Sequence, residues 1–98
     1  MLIVREIFHL HFGKFRDAKT LLDEGMQNNL LHLPGGSRIL TDFTGEGYRF
    51  IMELPCETLA EYETTLQKEL STPGWRDWYV KFMPLVRFSE REILKLIM

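Results

Sequence analysis

Hydrophobic and polar side chains alternate along the first stretch of the chain and then change period. From Val4 to Phe12, one face of an extended segment is apolar except for Glu6, while the opposite face is mixed. After Gly13, apolar residues recur three and four positions apart as far as Met26, which is the period of a helix. The pattern predicts a strand, a tight corner at Gly13 and an amphipathic helix packed on the more apolar face of its own strand.

A second pair of extended segments follows a loop rich in proline and glycine. Residues 38–44 and 48–54 are strand candidates, and residues 45–47 join them as a short hairpin. If the hairpin closes symmetrically, Leu40 faces Met52. Both surfaces of this hairpin then carry large apolar groups, which indicates a sheet that is covered on both faces.

The remainder of the chain predicts a second helical region and a last strand. Thr58 and Glu61 have the spacing of a capping box, and an apolar stripe follows. The residues of that stripe are Leu59, Tyr62, Leu66 and Leu70. Residues 72–74 interrupt the helix, an aromatic-rich helical stretch runs from residue 75 to 83, and Pro84 stops it. The last strand is predicted over residues 91–97.

The resulting order of strand, helix, strand, strand, helix, strand is that of a ferredoxin-like α+β fold in one domain, residues 1–98. Right-handed crossovers place both helices on one face of a four-stranded antiparallel sheet. The opposite face would then be bare and partly apolar. A second copy of the same sheet is the simplest cover for it, so we expect a homodimer through the sheet faces, a dimeric α/β barrel.

Composition narrows the function classes. The 98 residues have a formal net charge of −2, which gives no electrostatic argument for binding nucleic acid or an anionic membrane. No apolar run approaches the ~20 residues of a membrane span, and no secretory signal is recognisable. The single cysteine, Cys56, excludes an internal disulfide and fits a reducing compartment. We therefore expect a cytoplasmic protein.

Several short motifs resemble the dimeric α/β-barrel superfamily and, within it, NIPSNAP-like proteins. They are Arg5–Phe8 leading into Gly13, then Pro73–Tyr79, Pro84–Val86 and Glu92–Leu94. The resemblance implies a dimer in which two sheets close a barrel. It also implies kinship with antibiotic-biosynthesis-type monooxygenases, in which a pocket lies between sheet and helices and the substrate often activates oxygen without a bound cofactor. We accordingly expect no cofactor.

Glu6 is the candidate catalytic residue. It lies in the middle of the first strand, between Val4 and Phe8 on the same face. A carboxylate placed there should be partly desolvated, which raises its pKa toward the value that a general base needs. The alternative is that Glu6 forms a structural ion pair with an arginine, and the sequence leaves both interpretations open.

A second group of residues is a candidate lining for an aromatic ligand pocket. It consists of Phe8, Tyr48, Phe50, Trp75, Trp78 and Tyr79. Aromatic side chains at helical spacing are more often core residues, so we expect most of them in the core and one or two beside a cavity. His9 and His11 share one face of the first strand, but no third ligand is evident, so we interpret them as interior or interface residues rather than a metal site.

Two functions remain open at this point. The first is a small cofactor-independent enzyme, monooxygenase- or isomerase-like, acting on an aromatic or polyketide-like compound with Glu6 as its base. The second is a non-catalytic dimer that binds a small molecule or a protein partner. A cavity in contact with Glu6 favours the first, whereas a filled core favours the second.

Overall fold

The computed structural model describes all residues, 1–98, and has four strands and three helices. The strands are β1 (Leu2–Leu10), β2 (Arg38–Thr41), β3 (Arg49–Cys56) and β4 (Val86–Lys95). The helices are α1 (Phe15–Gln27), α2 (Leu59–Leu70) and α3 (Trp75–Phe82), and a 3-10 turn over Met83–Leu85 leads into β4. The predicted ferredoxin-like order is confirmed, with the second helical region divided between α2 and α3.

The four strands form one antiparallel sheet in the order β2-β3-β1-β4, and the helices cover one of its faces. The main core contains Leu10 and Phe50 from the sheet and Leu22, Trp78 and Phe82 from the helices. A smaller cluster joins Val4, Leu54 and Cys56 to Tyr62 of α2. The expectation that α1 packs on the Val4 face of its own strand is confirmed. We call the other face of the sheet the open face.

The end of β1 and the start of β4 differ from the prediction. β1 stops at Leu10, and Phe12 lies beyond it with 87% of its surface exposed, so Phe12 does not extend the apolar face. β4 begins at Val86, five residues before the predicted start. This early start has a structural cause, since β4 pairs with β1 along the whole length of that strand. The corner at Gly13 is as predicted, with φ of +79°.

The predicted hairpin register is wrong by one residue. Leu40 lies opposite Ile51 rather than Met52, which places Leu40 on the open face and Ile39 on the helix face. The first strand of the hairpin ends at Thr41 rather than residue 44, and the second begins at Arg49 rather than residue 48, because residues 42–48 form a wider loop. The Arg49 side chain closes this loop by donating to both carboxylate oxygens of Asp42, with a shortest distance of 2.7 Å.

Helix α2 begins as predicted but packs less deeply. The Glu61 backbone N–H donates to the Thr58 hydroxyl, and the Glu57 N–H donates to the Glu61 carboxylate. Tyr62 is half-buried, whereas Leu59 and Leu70 are exposed, which corrects the predicted apolar stripe. No residue of α2 is fully buried. Its apolar contact with the sheet is therefore limited to partly buried side chains, such as Tyr62 against the Val4, Leu54 and Cys56 cluster.

The open face combines an ionic row with apolar side chains. Arg38, Glu53, Arg5 and Glu92 lie side by side across the four strands and alternate in charge. Arg5 contacts Glu92 at 3.0 Å and Glu53 at 3.4 Å, and Arg38 donates to Glu53. Half-exposed apolar side chains, namely Leu40, Phe88 and Leu94, lie around this row. The face is thus more polar than the sequence indicated.

Candidate functional site

Glu6 is the centre of a polar cluster on the helix face of the sheet. Its Oε1 atom accepts a hydrogen bond of 2.7 Å from the Tyr62 hydroxyl and another of 2.6 Å from Arg91 Nε. The Glu6 side chain is 14% exposed, and its Oε2 atom accepts no hydrogen bond within the chain. The arginine partner considered for Glu6 in the sequence is therefore present, and the carboxylate also holds a phenol.

Local structure fixes each partner of Glu6. Arg91 lies directly opposite Glu6 in the register between β1 and β4, so both side chains leave the sheet on the same face. Tyr62 lies in the first turn of α2, where the Thr58 cap sets the start of the helix. The guanidinium of Arg91 also lies over the Tyr62 ring, 5.5 Å from its centroid. Burial and the hydrogen bond to Glu6 raise the pKa of the Tyr62 hydroxyl, which keeps the phenol protonated.

A second polar cluster adjoins the first at the junction of α2 and α3. Glu69 accepts hydrogen bonds from the indole N–H of Trp75 at 3.0 Å and from the backbone N–H of His32 at 3.4 Å. Burial raises the pKa of Glu69, and the negative charge of Glu6 acts in the same direction. His32 Nε2 contacts the Thr72 hydroxyl at 2.6 Å. The cluster ties the loop after α1 to both later helices.

The six aromatic residues of the predicted pocket occupy different surroundings. Trp78 and Phe50 are buried in the main core, where the Trp78 indole donates to the Leu21 carbonyl. Phe8 packs edge-on against Phe82 at 5.4 Å. Trp75 stacks on Tyr79 at 4.7 Å near the surface of α3. Tyr48 lies at the far end of β3, and its ring contacts Phe12.

Two cavities in the structure are not lined by Glu6. One, of about 10 Å³, has room for a single water molecule and lies between β3 and α2 near Tyr62. The other, of about 220 Å³, is a groove between α1 and β2. Glu6 lines neither of them, and Phe50 is the only predicted pocket residue that lines either. Burial raises the pKa of the Cys56 thiol beside the smaller cavity, which disfavours the reactive thiolate.

The two histidines of the first strand do not form a pair. His9 is buried on the open face, 2.7 Å from Glu90 through Nε2 and 3.4 Å from Glu46 through Nδ1, and its ring stacks on Phe88. His11 lies beyond the end of β1 and is exposed. No group of three or more His, Cys, Asp or Glu side chains is arranged to hold a metal ion. His9 thus connects Glu90 and Glu46 on the open face.

The sequence placed Glu6 on the apolar face of β1 and allowed for an arginine partner, but it did not single out Arg91 or indicate Tyr62. Tyr62 was expected to be an apolar stripe residue, and Arg91 the start of the last strand. Tyr62 and Glu69 are seven residues apart and therefore lie on one face of α2, a spacing that could have indicated an inward-facing polar pair. The pairing of Arg91 with Glu6 depends on the β1–β4 register, for which the sequence carries no comparable signal.

Solved structures with the same fold include NIPSNAP proteins and antibiotic biosynthesis monooxygenases. A NIPSNAP domain protein from Burkholderia xenovorans superposes with a TM-score of 0.84 at 12% identity over 99% of this chain and 95% of its own. A NIPSNAP family protein from Agrobacterium tumefaciens gives 0.80 at 21% identity over 97% and 92%. An antibiotic biosynthesis monooxygenase gives 0.71 at 12% identity over 100% of both chains.

These similarities show that the chain has the ferredoxin-like fold of NIPSNAP and antibiotic biosynthesis monooxygenase structures, as its sequence motifs indicated. No protein-family model matches the chain, and no curated protein matches it in sequence. None of its helices has the length and apolar composition of a membrane span.

Proposed function

We propose that the protein is a homodimer that binds a small organic molecule, with its subunits joined through the open faces of their sheets. The half-exposed Leu40, Phe88 and Leu94 on that face have no cover in the single chain. The ionic row supplies specificity, because charges at an interface select the partner and fix its register. The buried, single Cys56 fits a reducing cytoplasm, where we place the protein.

The alternating charges of the ionic row favour one symmetry axis. A two-fold axis parallel to the strands reverses the order of the row, so Arg38 faces Glu92 of the partner subunit and Arg5 faces Glu53 of the partner subunit. An axis perpendicular to the strands within the interface plane would place like charges opposite each other. The proposed dimer therefore sets β2 over the partner's β4 and β3 over its β1.

The ligand site of this proposal is the cluster of Glu6, Tyr62 and Arg91. The observation that carries it is a difference between the two oxygens of the Glu6 carboxylate. Oε1 accepts the hydrogen bonds from Tyr62 and Arg91, and Oε2 remains free to accept a hydrogen bond from a ligand. Arg91 is half-exposed and donates only through Nε, so its terminal nitrogens are also free. Because Arg91 compensates the charge of Glu6, the cluster suits recognition of a hydrogen-bonding group by fixed donors and acceptors.

The second candidate function is the catalytic one. The free Oε2 atom also gives Glu6 a position from which to remove a proton from a bound ring, and an antibiotic biosynthesis monooxygenase shares the fold. In this version the protein is a small monooxygenase- or isomerase-like enzyme without a bound cofactor. Its substrate is an aromatic or polyketide-like compound.

The replacement Glu6→Gln separates these functions, because it preserves size and shape while removing the charge. We use 1-naphthol, a flat two-ring phenol, as the probe and measure its affinity, oxygen consumption in its presence and the melting temperature. Glu63→Gln on the exposed side of α2 is the matched control. A loss of affinity of at least about tenfold in the Glu6 variant alone supports the binding site.

The other outcomes of this experiment are equally definite. Retained affinity with oxygen consumption reduced by roughly 10² to 10⁴ supports the catalytic version. A lowered melting temperature with unchanged affinity makes Glu6 a structural ion-pair residue, which contradicts both versions. Absence of 1-naphthol binding by the unmodified protein contradicts the proposed ligand class.

A further inference from the structure

A groove on the helix side of the sheet, two strands away from Glu6, has the features of a separate ligand site. It encloses about 220 Å³ between α1 and the edge strand β2. Phe15, Leu22 and Met26 form its helical wall, Ile39 and Thr41 form the strand wall, and Phe50 contributes from the neighbouring strand. We refer to it as the α1–β2 groove.

The groove exists because α1 does not reach the edge of the sheet that it covers. All four residues of β2 are exposed, including Ile39, which points to the helix side. Phe15 and Phe50 meet with their ring centroids 5.1 Å apart, which fills the gap near the start of α1. Farther along, Met26 and Ile39 remain partly exposed in the groove wall. Apolar surface is thus left around a concave space instead of being buried.

The polar groups at this groove are already satisfied. Lys19 Nζ lies 2.8 Å from each carboxylate oxygen of Asp23, so the ion pair on α1 adds no net charge. The Thr41 hydroxyl donates to the Arg49 carbonyl at 2.7 Å. A charged ligand would therefore lose its hydration without gaining a free counter-charge.

We propose that the α1–β2 groove binds an uncharged, mainly apolar organic molecule about the size of a substituted benzene or a short alkyl chain. The size follows from the volume, since an apolar cavity of about 150 Å³ accepts benzene. The groove and the open face are on opposite sides of the sheet, so a dimer formed through the open faces leaves it accessible. This site is independent of the proposed Glu6 site and differs from it in lining, charge and position.

Toluene and benzoate test this proposal as an uncharged and a charged probe of similar size, followed through backbone amide signals in NMR spectra. Saturable toluene shifts centred on residues 15–26 and 38–41 are expected, with a Kd of about 1 mM or tighter. Benzoate should bind at least tenfold more weakly. Toluene shifts centred elsewhere, no saturable toluene binding, or tighter binding of benzoate would overturn the proposal.

Two matched variants locate the site. Ile39→Trp fills the groove from its strand wall, and Ile93→Trp adds the same bulk at a similarly exposed helix-face position on the opposite edge strand. We expect Ile39→Trp to weaken toluene binding at least tenfold and Ile93→Trp to leave it within twofold. Equal losses in both variants refute the location. A changed oligomeric state in folded Ile39→Trp alone shows that a second copy occupies the groove and also refutes the proposal.

Discussion

The Tyr62 hydroxyl donates a hydrogen bond of 2.7 Å to Glu6 and thereby joins α2 to a central strand of the sheet. Since α2 buries none of its residues completely, this hydrogen bond supplements the packing of Tyr62 against the Val4, Leu54 and Cys56 cluster. The same bond fixes the orientation of the Glu6 carboxylate. The position of α2 and the proposed ligand recognition therefore both depend on the Tyr62–Glu6 pair.

Tyr62→Phe should lower the free energy of unfolding by about 1 kcal/mol, because it removes one hydrogen bond and leaves the ring in place. Tyr79→Phe is the control, since the Tyr79 hydroxyl makes no hydrogen bond within the chain and lies near the surface. Urea unfolding followed by circular dichroism measures both. Equal stability of the two variants would show that the Tyr62–Glu6 bond does not hold α2 in place.

Gly25→Ala should destabilise the protein although alanine favours helices. A Cβ atom at Gly25 would lie 3.1 Å from two ring atoms of Trp78 and 3.2 Å from a methyl carbon of Leu31. The Trp78 ring cannot easily retreat, because it stacks on Phe82 and donates to a backbone carbonyl. We expect a loss of about 1–3 kcal/mol in thermal or urea unfolding, typical of overpacking.

Gly35→Ala provides the control for this substitution. A Cβ atom there meets nothing within 4 Å, so the same chemical change should be neutral or slightly stabilising. A Gly25→Ala protein as stable as the Gly35→Ala protein would mean that α1 and α3 are less closely packed than the structure shows.

The raised pKa of Glu69 predicts that the folded protein loses stability as the pH rises. Its pKa is raised in the folded protein, so the folded state binds more protons than the unfolded state once the pH passes the ordinary carboxyl value of 4.5. Stability is then lost as the pH rises from that value through the raised pKa. Glu69→Gln should remove this loss, because glutamine does not titrate.

The test compares the unfolding free energies of the unmodified protein and Glu69→Gln from pH 4 to pH 8. The stability of Glu69→Gln relative to the unmodified protein should increase as the pH rises. Asp42 gives the opposite sign, because the hydrogen bond from Arg49 lowers its pKa, and its contribution is lost as the pH falls. If the unfolding free energies of the unmodified protein and Glu69→Gln changed in parallel with pH, the Glu69 carboxylate would not be the cause of the pH dependence.

The sequence predicted the features that depend on neighbouring residues. It did not predict the features that depend on the pairing of segments far apart in the chain. The corner at Gly13 and the cap at Thr58 depend on neighbouring residues and agree with the prediction. The hairpin register failed because the side chain of Arg49 turns back to Asp42 and widens the loop, an interaction that a symmetric turn does not anticipate. Strand pairing also decided that Glu6 meets Arg91, which lies 85 residues away.

The candidate site shows the same contrast between local pattern and distant packing. Mid-strand placement of Glu6 on the helix face was predictable from alternation alone. The separate surroundings of the aromatic residues were not, since the ring of Trp78 fills the core against Phe82 while Tyr48 and Tyr79 lie in different parts of the molecule. Aromatic spacing along a helix specifies a face and does not specify whether that face meets a cavity or a packed neighbour.

Sedimentation equilibrium at micromolar concentration tests the proposed dimer most directly, with Leu40→Glu and Ile39→Glu as paired variants. The two residues are adjacent on β2 and similarly exposed, but Leu40 is on the open face and Ile39 on the helix face. The unmodified 11.6 kDa chain should sediment at twice its mass. Leu40→Glu should weaken the dimer by roughly 30-fold or more, since it buries an unpaired charge, and Ile39→Glu should leave it intact. A folded, unmodified protein that remains monomeric, or a dimer dissociated by Ile39→Glu and unaffected by Leu40→Glu, would contradict association through the open face.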